Sequence, residues 1–325
     1  MKKSGPGYRS DLEAFHPTFS LSAPSSSSSN LAAREEAEAF AARITRNSQS
    51  NLALAFVCLP KDRRRDMNVF YAFCRLIDDI ADNPAEADAH KQRQLDAWKS
   101  GLTGNPHALE ADDALLCQLL LELVERRDVQ PEHYLELIAG VEMDLAGRIY
   151  RTFDELKLYC HRVASVVGLV SIRLFGCQAR ESTDYALSLG LAFQITNIIR
   201  DVGRDYRESG RIYLPREEME RHGITETDIA GQRETEAFRN LIREQADRAK
   251  TYYRESHQFL QKQETQTLAA AEIMRSVYAK LLLKMERDDF RVLTRNYRLS
   301  KPLKLSLILR TLLATRLNKP SPIHV

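Results

Sequence analysis

The sequence predicts an all-α, single-domain protein, and three observations lead to this fold class. The 325 residues include 43% hydrophobic and 28% charged side chains, a balance that supports a sizeable buried core. Only 13 glycines and 11 prolines are spread over the whole chain, so few breaks divide it. No segment alternates strictly between apolar and polar residues, as a half-buried strand would. We therefore expect long helices to form the fold.

The helices follow from start and stop signals along the chain. Residues 1–30 end in a serine run and are expected to be a disordered tail. A helix capped by Asn30 covers 31–46, and a second begins near Pro60 and stops before Pro84. Apolar periodicity predicts further helices over 90–100, 111–127, 131–146, 153–175, 182–205, 234–263 and 267–291. The connections are short, so one domain is expected over 31–300, followed by a basic segment, 301–325.

Charge, hydropathy and cysteine content exclude several classes of protein. A net charge of +2 argues against a general nucleic-acid binder. The longest uncharged stretches, such as 185–199, are too short and too polar to span a bilayer, so no transmembrane helix is expected. The 5 cysteines are odd in number and scattered, which indicates buried thiols in a reducing compartment. No apolar signal segment precedes the serine run, and a cytoplasmic protein is expected.

Polar side chains follow the second predicted helix at helical spacing. Asp78 and Asp82 lie 7 and 11 residues after Tyr71, and Arg75 lies 4 residues after it. This spacing places all four side chains on one face of a helix, beside an apolar face.

The helix over 182–205 carries a second polar stripe. Its members are Gly190, Gln194, Asn197, Asp201 and Asp205. The other positions of this helix are mostly Leu, Ile and Phe, and a helix that is apolar nearly all round is usually buried. The polar stripe is therefore expected to face an internal cavity.

The two stripes together predict a site for a metal ion and a diphosphate. Carboxylates about 6 Å apart repel by roughly 3 kcal/mol at an effective dielectric constant near 20, so a positive partner is needed. Mg²⁺ is usually held by one or two carboxylates together with substrate phosphates, and guanidinium groups match phosphate oxygens. Arg75, Arg200, Arg204 and Arg211 lie within or just beyond the two stripes.

Simpler interpretations compete with the metal site. A single Asp-x-x-x-Asp pair on a helix more often marks a solvated face, but two such pairs on otherwise buried helices favour a site. Asp78 and Asp79 fit a charge cluster at a helix end, paired with Arg75. Glu142 and Asp144 fit a plain salt-bridge role as well as a functional one.

Small and β-branched residues follow Tyr159 between the two stripes. Tyr159, Val163 and Val167 share a broad helical face, and Ala164 and Gly168 remove bulk beside it. A core helix explains this pattern as well as a ligand channel does. His161 in this segment is expected to be a surface or hydrogen-bonded histidine and not a catalytic base.

Four ordered motifs resemble those of the squalene/phytoene synthase family. They are the segments 71–82 (YAFCRLIDDIAD), 159–168 (YCHRVASVVG), 194–205 (QITNIIRDVGRD) and 210–215 (GRIYLP). The resemblance covers residues 51–291. Within the family the sequence looks most like the bacterial presqualene diphosphate synthases of hopanoid pathways and related squalene synthases.

The resemblance implies an isoprenoid-synthase helical bundle around a central cavity, which condenses two C15 farnesyl diphosphates head to head. It implies that Mg²⁺ is held by Asp78, Asp82, Asp201 and Asp205. It implies phosphate binding by Arg75, Arg200 and Arg211, and a polar lining completed by Gln194 and Asn197. Tyr71 and Tyr159 would lie near the reacting carbons. A prenyl tunnel would be bordered by Val163, Ala164, Val167 and Gly168.

Such a reaction has defined chemical requirements. Fixed cations must meet the charge that grows on the leaving diphosphate, and an apolar pocket must keep water from the allyl cation. Either the released diphosphate or Tyr159 would take the proton that is lost. Continuation to squalene would require NADPH. Two departures from the family pattern, Arg204 for a common acidic residue and Ser165 for a common glycine, bear on Mg²⁺ geometry and product choice.

Two alternatives stand beside this function. A phytoene synthase couples two C20 units and differs in substrate length. A non-catalytic helical module that assembles with other prenyl enzymes or with membrane belongs to a different class. A scaffold, however, has no need of buried carboxylates that repel each other.

The basic C-terminal segment predicts a further amphipathic helix. Eight lysines and arginines and no acidic residue follow Asp289. Pro302 can open a helix, and one apolar face is expected from Leu305, Ile308, Leu309 and Leu312. This face fits two roles equally well: the last core helix, or peripheral contact with an anionic membrane surface at its cytoplasmic side.

Overall fold

Thirteen α-helices and no strand form the part of the chain that the computed structural model describes, residues 28–48 and 55–319. The first half contributes α1 (Ser28–Asn47), α2 (Lys61–Asp82), α3 (Asp88–Leu102), α4 (Ala111–Arg127) and α5 (Glu132–Leu145). The middle contributes α6 (Phe153–Cys160), a π-helical turn (His161–Ser165), α7 (Val166–Phe175) and α8 (Glu181–Ser209). The remainder contributes α9 (Arg216–Arg221), α10 (Glu226–Ala230), α11 (Glu236–Phe259), α12 (Ala269–Arg287) and α13 (Lys301–Arg316). The predicted all-α class is confirmed.

The helix boundaries agree with the sequence signals except at a few ends. Helix α8 extends beyond the predicted end at 205 and stops at Gly210, which adopts the left-handed conformation with φ 69°. Helices α9 and α10 are too short to show apolar periodicity, and no helix is predicted there. A capping box between Thr225 and Asp228 begins α10. Most of the predicted disordered tail lies outside the described residues, and α1 begins three residues earlier than expected.

Helix α8 lies at the centre of the fold. It packs against α7, the π-helical turn, α11 and α12, while α2 contacts α1, α4, α5 and α7. Gly190 permits the close approach of α8 to the π-helical turn, because a Cβ atom there would lie 2.5 Å from the Cα of Ser165. This contact brings the polar stripe of α8 next to the chain segment that follows Tyr159.

Aromatic side chains fix α2 against its neighbours. Phe73 packs against Trp98 of α3, with ring centroids 5.3 Å apart, and against Tyr134 of α5 at 5.6 Å. All three are fully buried, and burial of an aromatic side chain of this size contributes roughly 2–3 kcal/mol. The start of α2 is tied to the end of α4 by Asp66, which accepts hydrogen bonds from Arg126 and Arg127. The polar face of α2 is thereby held in a fixed orientation.

The cysteines agree with the sequence interpretation. All five are free thiols, with Cys117, Cys160 and Cys177 buried and the other two half-buried. Burial raises the pKa of the Cys58 thiol to about 11, so this thiol stays protonated and unreactive.

One continuous helical stretch within the described residues, Phe153–Phe175, is long and apolar enough to cross a membrane by length and composition alone. Half of its most apolar window is buried inside the protein. It packs against α5 and α8, as a core helix does.

The predicted apolar face of the C-terminal helix is wrong in detail. The residues of α13 that are buried against the rest of the protein are Leu307, Thr311 and Thr315, not the predicted set. Leu305 and Leu309 are exposed, whereas Ile308 and Leu312 are only partly buried. One leucine and two threonines are enough to seat the helix on α12. The exposed leucines at 305 and 309 therefore lie on the opposite side.

Candidate active site

A polar cavity of about 590 Å³ separates the polar faces of α2 and α8. Both aspartate pairs predicted from the sequence line it. The charged and polar lining residues are Arg75, Asp78, Asp82, Asp144, Tyr159, Gln194, Asn197, Arg200, Asp201, Arg204, Asp205, Glu208, Ser209, Arg211 and Tyr213. Residues far apart in sequence therefore meet at one site, and four arginines face four aspartates of the two helices.

The face of α2 carries little positive charge of its own. Asp78 has no hydrogen bond or ion pair with any residue in the described ranges, although it opens onto the cavity. The surrounding protein atoms displace part of the water around Asp78, although its side chain stays exposed through the cavity. This partial desolvation, followed by repulsion from Asp82, raises the pKa of Asp78 to about 7. Arg75 lies on the same face but pairs with Asp79 at 2.5 Å, and Arg211 binds Asp82 at 3.1 Å.

The face of α8 carries two arginines that neutralise its aspartates. Asp201 is buried and accepts hydrogen bonds from Arg200, at 2.9 Å for the Nε donor, and it also pairs with Arg204 at 2.8 Å. The same Arg204 guanidinium reaches Asp205 at 3.4 Å. Burial, followed by the charge of Asp201, raises the pKa of Asp205 to about 7.

A third carboxylate in the cavity wall holds two tyrosine hydroxyls. Asp144 accepts a hydrogen bond from Tyr159 at 2.8 Å and another from Tyr213 at 2.7 Å. The two rings are stacked, with centroids 5.1 Å apart. Burial raises the pKa of both Asp144 and Tyr159, so Tyr159 is a neutral phenol that donates to a carboxylate. The salt-bridge interpretation applies only to Glu142, which pairs with Lys99 at 2.7 Å.

The polar cavity adjoins a second, mostly apolar cavity of about 220 Å³. Val163, Gln194 and Asn197 line both cavities. The apolar cavity is lined from α7, α8, α12 and the π-helical turn, by residues that include Ala164, Val167, Gly168, Leu189, Phe193, Met274 and Tyr278. Gly168 permits the close approach of α7 to α8 beside this cavity, because a Cβ atom there would lie 2.9 Å from the carbonyl oxygen of Ala186. The pair of cavities suits a ligand with one strongly charged end and one apolar end.

The structure brings together all but one of the residues that the resemblance singles out. Tyr71 lines neither cavity, and its ring packs edge-on against Phe56 with centroids 6.1 Å apart. The geometry therefore gives no support to the prediction that Tyr71 lies near the reacting carbons. Its place on the α2 stripe does not bring it to the cavity, because the stripe reaches the cavity only from Arg75 onward.

Tyr213 is a site residue that the sequence reasoning missed. It lies in the segment between α8 and α9, two residues after Arg211, and both side chains line the polar cavity. The signal that could have found it is its place in the motif over 210–215, which also contains Arg211. The double pairing of Arg204 with Asp201 and Asp205 was also not predicted, since sequence spacing alone does not fix which carboxylate an arginine selects.

The donor atoms of the polar cavity fit a hard cation such as Mg²⁺. They are carboxylate and amide oxygens, and no histidine or cysteine is among the described lining residues. The buried amide oxygen of Asn197 has no hydrogen-bond partner within the described ranges, so a ligand for it is lacking. No three acidic, histidine or cysteine side chains in those ranges cluster as a ready-made metal site. Separated pairs of carboxylates suit a cation that also binds substrate phosphates.

Comparison with known proteins assigns a family to this arrangement. The family model for squalene/phytoene synthase matches residues 45–304. Phytoene synthase 2 of Solanum lycopersicum is 33% identical over 258 residues, which cover 78% of this chain and 82% of the relative. The 15-cis-phytoene synthase of Synechocystis is 31% identical over 297 residues, covering 88% and 87%.

The fold has a close structural counterpart as well. A crystal structure of a dehydrosqualene synthase in complex with a ligand superposes with a TM-score of 0.72 at 25% identity, covering 87% of this chain and 97% of the other. The helical architecture, the two facing aspartate pairs and the sequence match agree with one another. The chain belongs to the squalene/phytoene synthase family.

Proposed function

We propose that this protein condenses two farnesyl diphosphates head to head, with Mg²⁺, to form presqualene diphosphate. The family consists of prenyltransferase-type isoprenoid enzymes that use prenyl diphosphates. The observation that carries the proposal is the junction of the two cavities. A chamber lined by aspartates and arginines adjoins an apolar one and shares three lining residues with it, an arrangement that matches the diphosphate head and the prenyl tail of such a substrate.

The aspartates and arginines would bind the diphosphate head in different ways, the aspartates through Mg²⁺ and the arginines directly. Asp78, Asp82, Asp201 and Asp205 would hold Mg²⁺, which supplies positive charge against the phosphate oxygens and weakens their bond to carbon C1. Arg200 and Arg211 line the cavity, bound to Asp201 and Asp82, and would share their guanidinium groups between these aspartates and phosphate oxygens. Arg75 would have to leave Asp79 to do the same, since its guanidinium is engaged there.

The apolar chamber would protect the reactive carbon chain. Loss of diphosphate leaves an allyl cation, which water would capture quickly. Val163, Val167 and Phe193 offer no nucleophile and exclude water from this region. The small side chains at Ala164 and Gly168 leave room for the double bond of the second prenyl chain to approach the cation.

The tyrosine pair on Asp144 offers a route for the proton that ring closure releases. Tyr159 donates its hydroxyl proton to Asp144, so its oxygen retains lone pairs that can accept a proton from carbon. As that proton arrives, the phenolic proton can pass to Asp144, whose raised pKa favours acceptance. The released diphosphate is the competing base, and it would not require Tyr159.

A second candidate, the condensation of two C20 units to phytoene, has its own support. The tomato and Synechocystis relatives are both phytoene synthases. The two reactions share the chemistry at the diphosphate and differ in the length of the apolar chain. Continuation from presqualene diphosphate to squalene would be a further step, in which NADPH supplies hydride.

The experiment is a product analysis of the purified protein with Mg²⁺. C15 and C20 diphosphates are supplied separately, each with and without NADPH, and products are identified by mass spectrometry. We expect presqualene diphosphate from the C15 substrate. Phytoene-type product from the C20 substrate alone would replace the proposal with the second candidate. Failure to release diphosphate from either substrate would refute both candidates, provided that thermal unfolding shows the unmodified protein to be folded under the assay conditions.

A further inference from the structure

The C-terminal helix α13 is seated on α12 through a single face. Leu307, Thr311 and Thr315 are the buried residues of this helix. The hydroxyl groups of Thr311 and Ser276 lie 2.8 Å apart and share a hydrogen bond in the interface with α12. This polar contact fixes the rotation of α13 about its own axis, and thereby fixes which residues face away from the protein.

The face that points away is a line of leucines. Leu305, Leu309, Leu313 and Leu317 follow one another at four-residue spacing and are 57–64% exposed. Because successive helical residues are about 100° apart, this line lies about 180° from the buried residues, and it is about 18 Å long. Only Val57 and Ile149 are comparably exposed large apolar residues elsewhere in the described ranges. Single exposed leucines are ordinary, but four in line form a patch that fits a binding surface.

Uncompensated positive charge surrounds this leucine line. The exposed cations of α13 and its end are Lys301, Arg310, Arg316 and Lys319, and none forms an ion pair within residues 28–48 and 55–319. No acidic residue follows Asp289 in the sequence, so no carboxylate from this segment offsets them. The segment thus presents an apolar strip flanked by its own basic side chains, which complements an apolar layer edged by negative charge.

We propose that α13 docks on an anionic lipid bilayer, with its leucine line inserted at the boundary between headgroups and acyl chains. The lysine and arginine side chains would lie at the level of the lipid phosphates. A protein partner would need acidic side chains in two rows about an apolar groove, whereas an anionic bilayer presents this combination everywhere on its surface. This inference is independent of which prenyl diphosphate the enzyme uses.

The docking surface lies next to the apolar chamber through one shared helix. Ala270, Met274 and Tyr278 of α12 line that chamber, and Ser276 of the same helix contacts α13. Only α12 therefore separates the lipid-facing helix from the chamber that takes the prenyl chain. A water-insoluble product would leave the protein close to the bilayer that dissolves it.

The test is vesicle flotation of the full chain without substrate. Vesicles of phosphatidylcholine with one quarter phosphatidylglycerol are compared with pure phosphatidylcholine at low and physiological salt. We expect the protein to float with the anionic vesicles at least tenfold more than with the neutral ones. Salt should weaken this binding, since screening limits attraction to within about 8 Å at physiological ionic strength.

Matched variants separate insertion from simple charge attraction. The triple variant Leu305→Gln, Leu309→Gln, Leu313→Gln should lose binding at least tenfold. The double variant Arg310→Gln, Arg316→Gln should show a weaker salt dependence, since two of the four exposed cations remain. The variant Val57→Gln, Ile149→Gln should bind as the unmodified protein does. Thermal unfolding of each variant checks that the fold is retained, as expected for changes at exposed positions.

Three outcomes would overturn the proposal. The first is that the unmodified protein does not float with anionic vesicles. The second is that the leucine variant floats as well as the unmodified chain, which would leave only nonspecific charge attraction. The third is that sedimentation velocity without vesicles shows a dimer that the leucine substitutions dissociate. The leucine line would then be an interface between two copies of this chain. None of these outcomes depends on prenyl diphosphate turnover, so they are distinct from failure of the proposed reaction.

Discussion

The polar faces of α2 and α8 have the same carboxylate spacing but are neutralised in different ways. On α8, Arg200 and Arg204 bind Asp201, and Arg204 also reaches Asp205. On α2, Asp78 has no such partner among the described residues. Only the outer member of that pair, Asp82, is bound by an arginine.

The two faces differ in what balances the charge of their aspartates: protein side chains on α8, and a bound proton or cation on α2. The α8 face is largely satisfied by the protein itself, and its arginines must rearrange or share their carboxylates when a cation enters. The α2 face keeps a carboxyl group whose charge is unbalanced until a proton or a cation binds. We therefore expect the same substitution to lower turnover alike on the two helices but to change metal-free stability and cation binding differently, and four predictions test this contrast.

The largest expected effect is on turnover, and it should be similar on both helices. Asp78→Asn and Asp201→Asn each remove one carboxylate charge from the proposed cation site, and we expect each to lower kcat on the order of a hundredfold. Steady-state kinetics with prenyl diphosphate and Mg²⁺ provides the measurement, with Asp184→Asn as the control on α8. Near-normal turnover in both variants would contradict the assignment of the site.

Stability of the metal-free protein should distinguish the two helices. Asp201→Asn removes the carboxylate that Arg200 binds and one of those that Arg204 binds, and we expect it to lower the free energy of unfolding by about 2 kcal/mol. Asp78→Asn removes a repulsion and should leave the free energy of unfolding unchanged or slightly higher. Urea unfolding in the presence of a chelator measures both, and equal losses would remove the proposed contrast.

The third prediction concerns competition between Arg204 and the cation. Because the Arg204 guanidinium occupies Asp201 and Asp205, Arg204→Gln should strengthen Mg²⁺ binding to the substrate-free protein by roughly threefold to tenfold. Arg75→Gln is the matched change on α2 and should have a smaller effect, since Arg75 pairs with Asp79 outside the aspartate pair. Titration calorimetry with Mg²⁺ measures both affinities. Weaker binding in the Arg204 variant would show that this arginine assists the site.

The last prediction concerns the pH dependence of stability, where we expect a small effect because Asp78 stays exposed to solvent through the cavity. The pKa of Asp78 and that of Asp205 are each raised to about 7 from an ordinary value near 3.8. The folded protein therefore binds more protons than the unfolded chain between these values, so its metal-free stability should fall as pH rises from about 4 to 7. Asp78→Asn should flatten that slope, as measured by urea unfolding at several pH values. An unchanged slope would mean that Asp78 titrates normally.

The sequence predicted the helical framework and the chemical nature of the site to a useful depth. Helix α4 begins and ends at the predicted residues, because strong apolar periodicity and terminal charges agree there. Both aspartate pairs face one cavity, as burial of α8 required. Periodicity within a helix indicates on which face a residue lies. This information was sufficient to predict that the two aspartate pairs share a cavity, namely Asp78, Asp82, Asp201 and Asp205.

Other features depend on contacts between distant segments and could not be read from periodicity. Asp144 and Glu142 lie two residues apart on α5, yet one holds tyrosines in the cavity and the other binds Lys99. The orientation of α13 was also beyond a pattern argument, since its apolar residues cover two sides and a threonine contact decides between them.

The π-helical turn at His161–Ser165 changes the direction in which Tyr159 points relative to the residues that follow the turn. A π turn accommodates one more residue than an α-helix in the same rise, so the segments before and after it are rotated by about 100° relative to uninterrupted α-helical phase. That offset lets Tyr159 face the polar cavity while Ala164 and Val167 face the apolar one. The separation of the polar cavity from the apolar cavity thus depends on one extra residue in the helix. Deleting one residue of the π-helical turn that lines neither cavity would rotate the lining side chains of one cavity relative to the other.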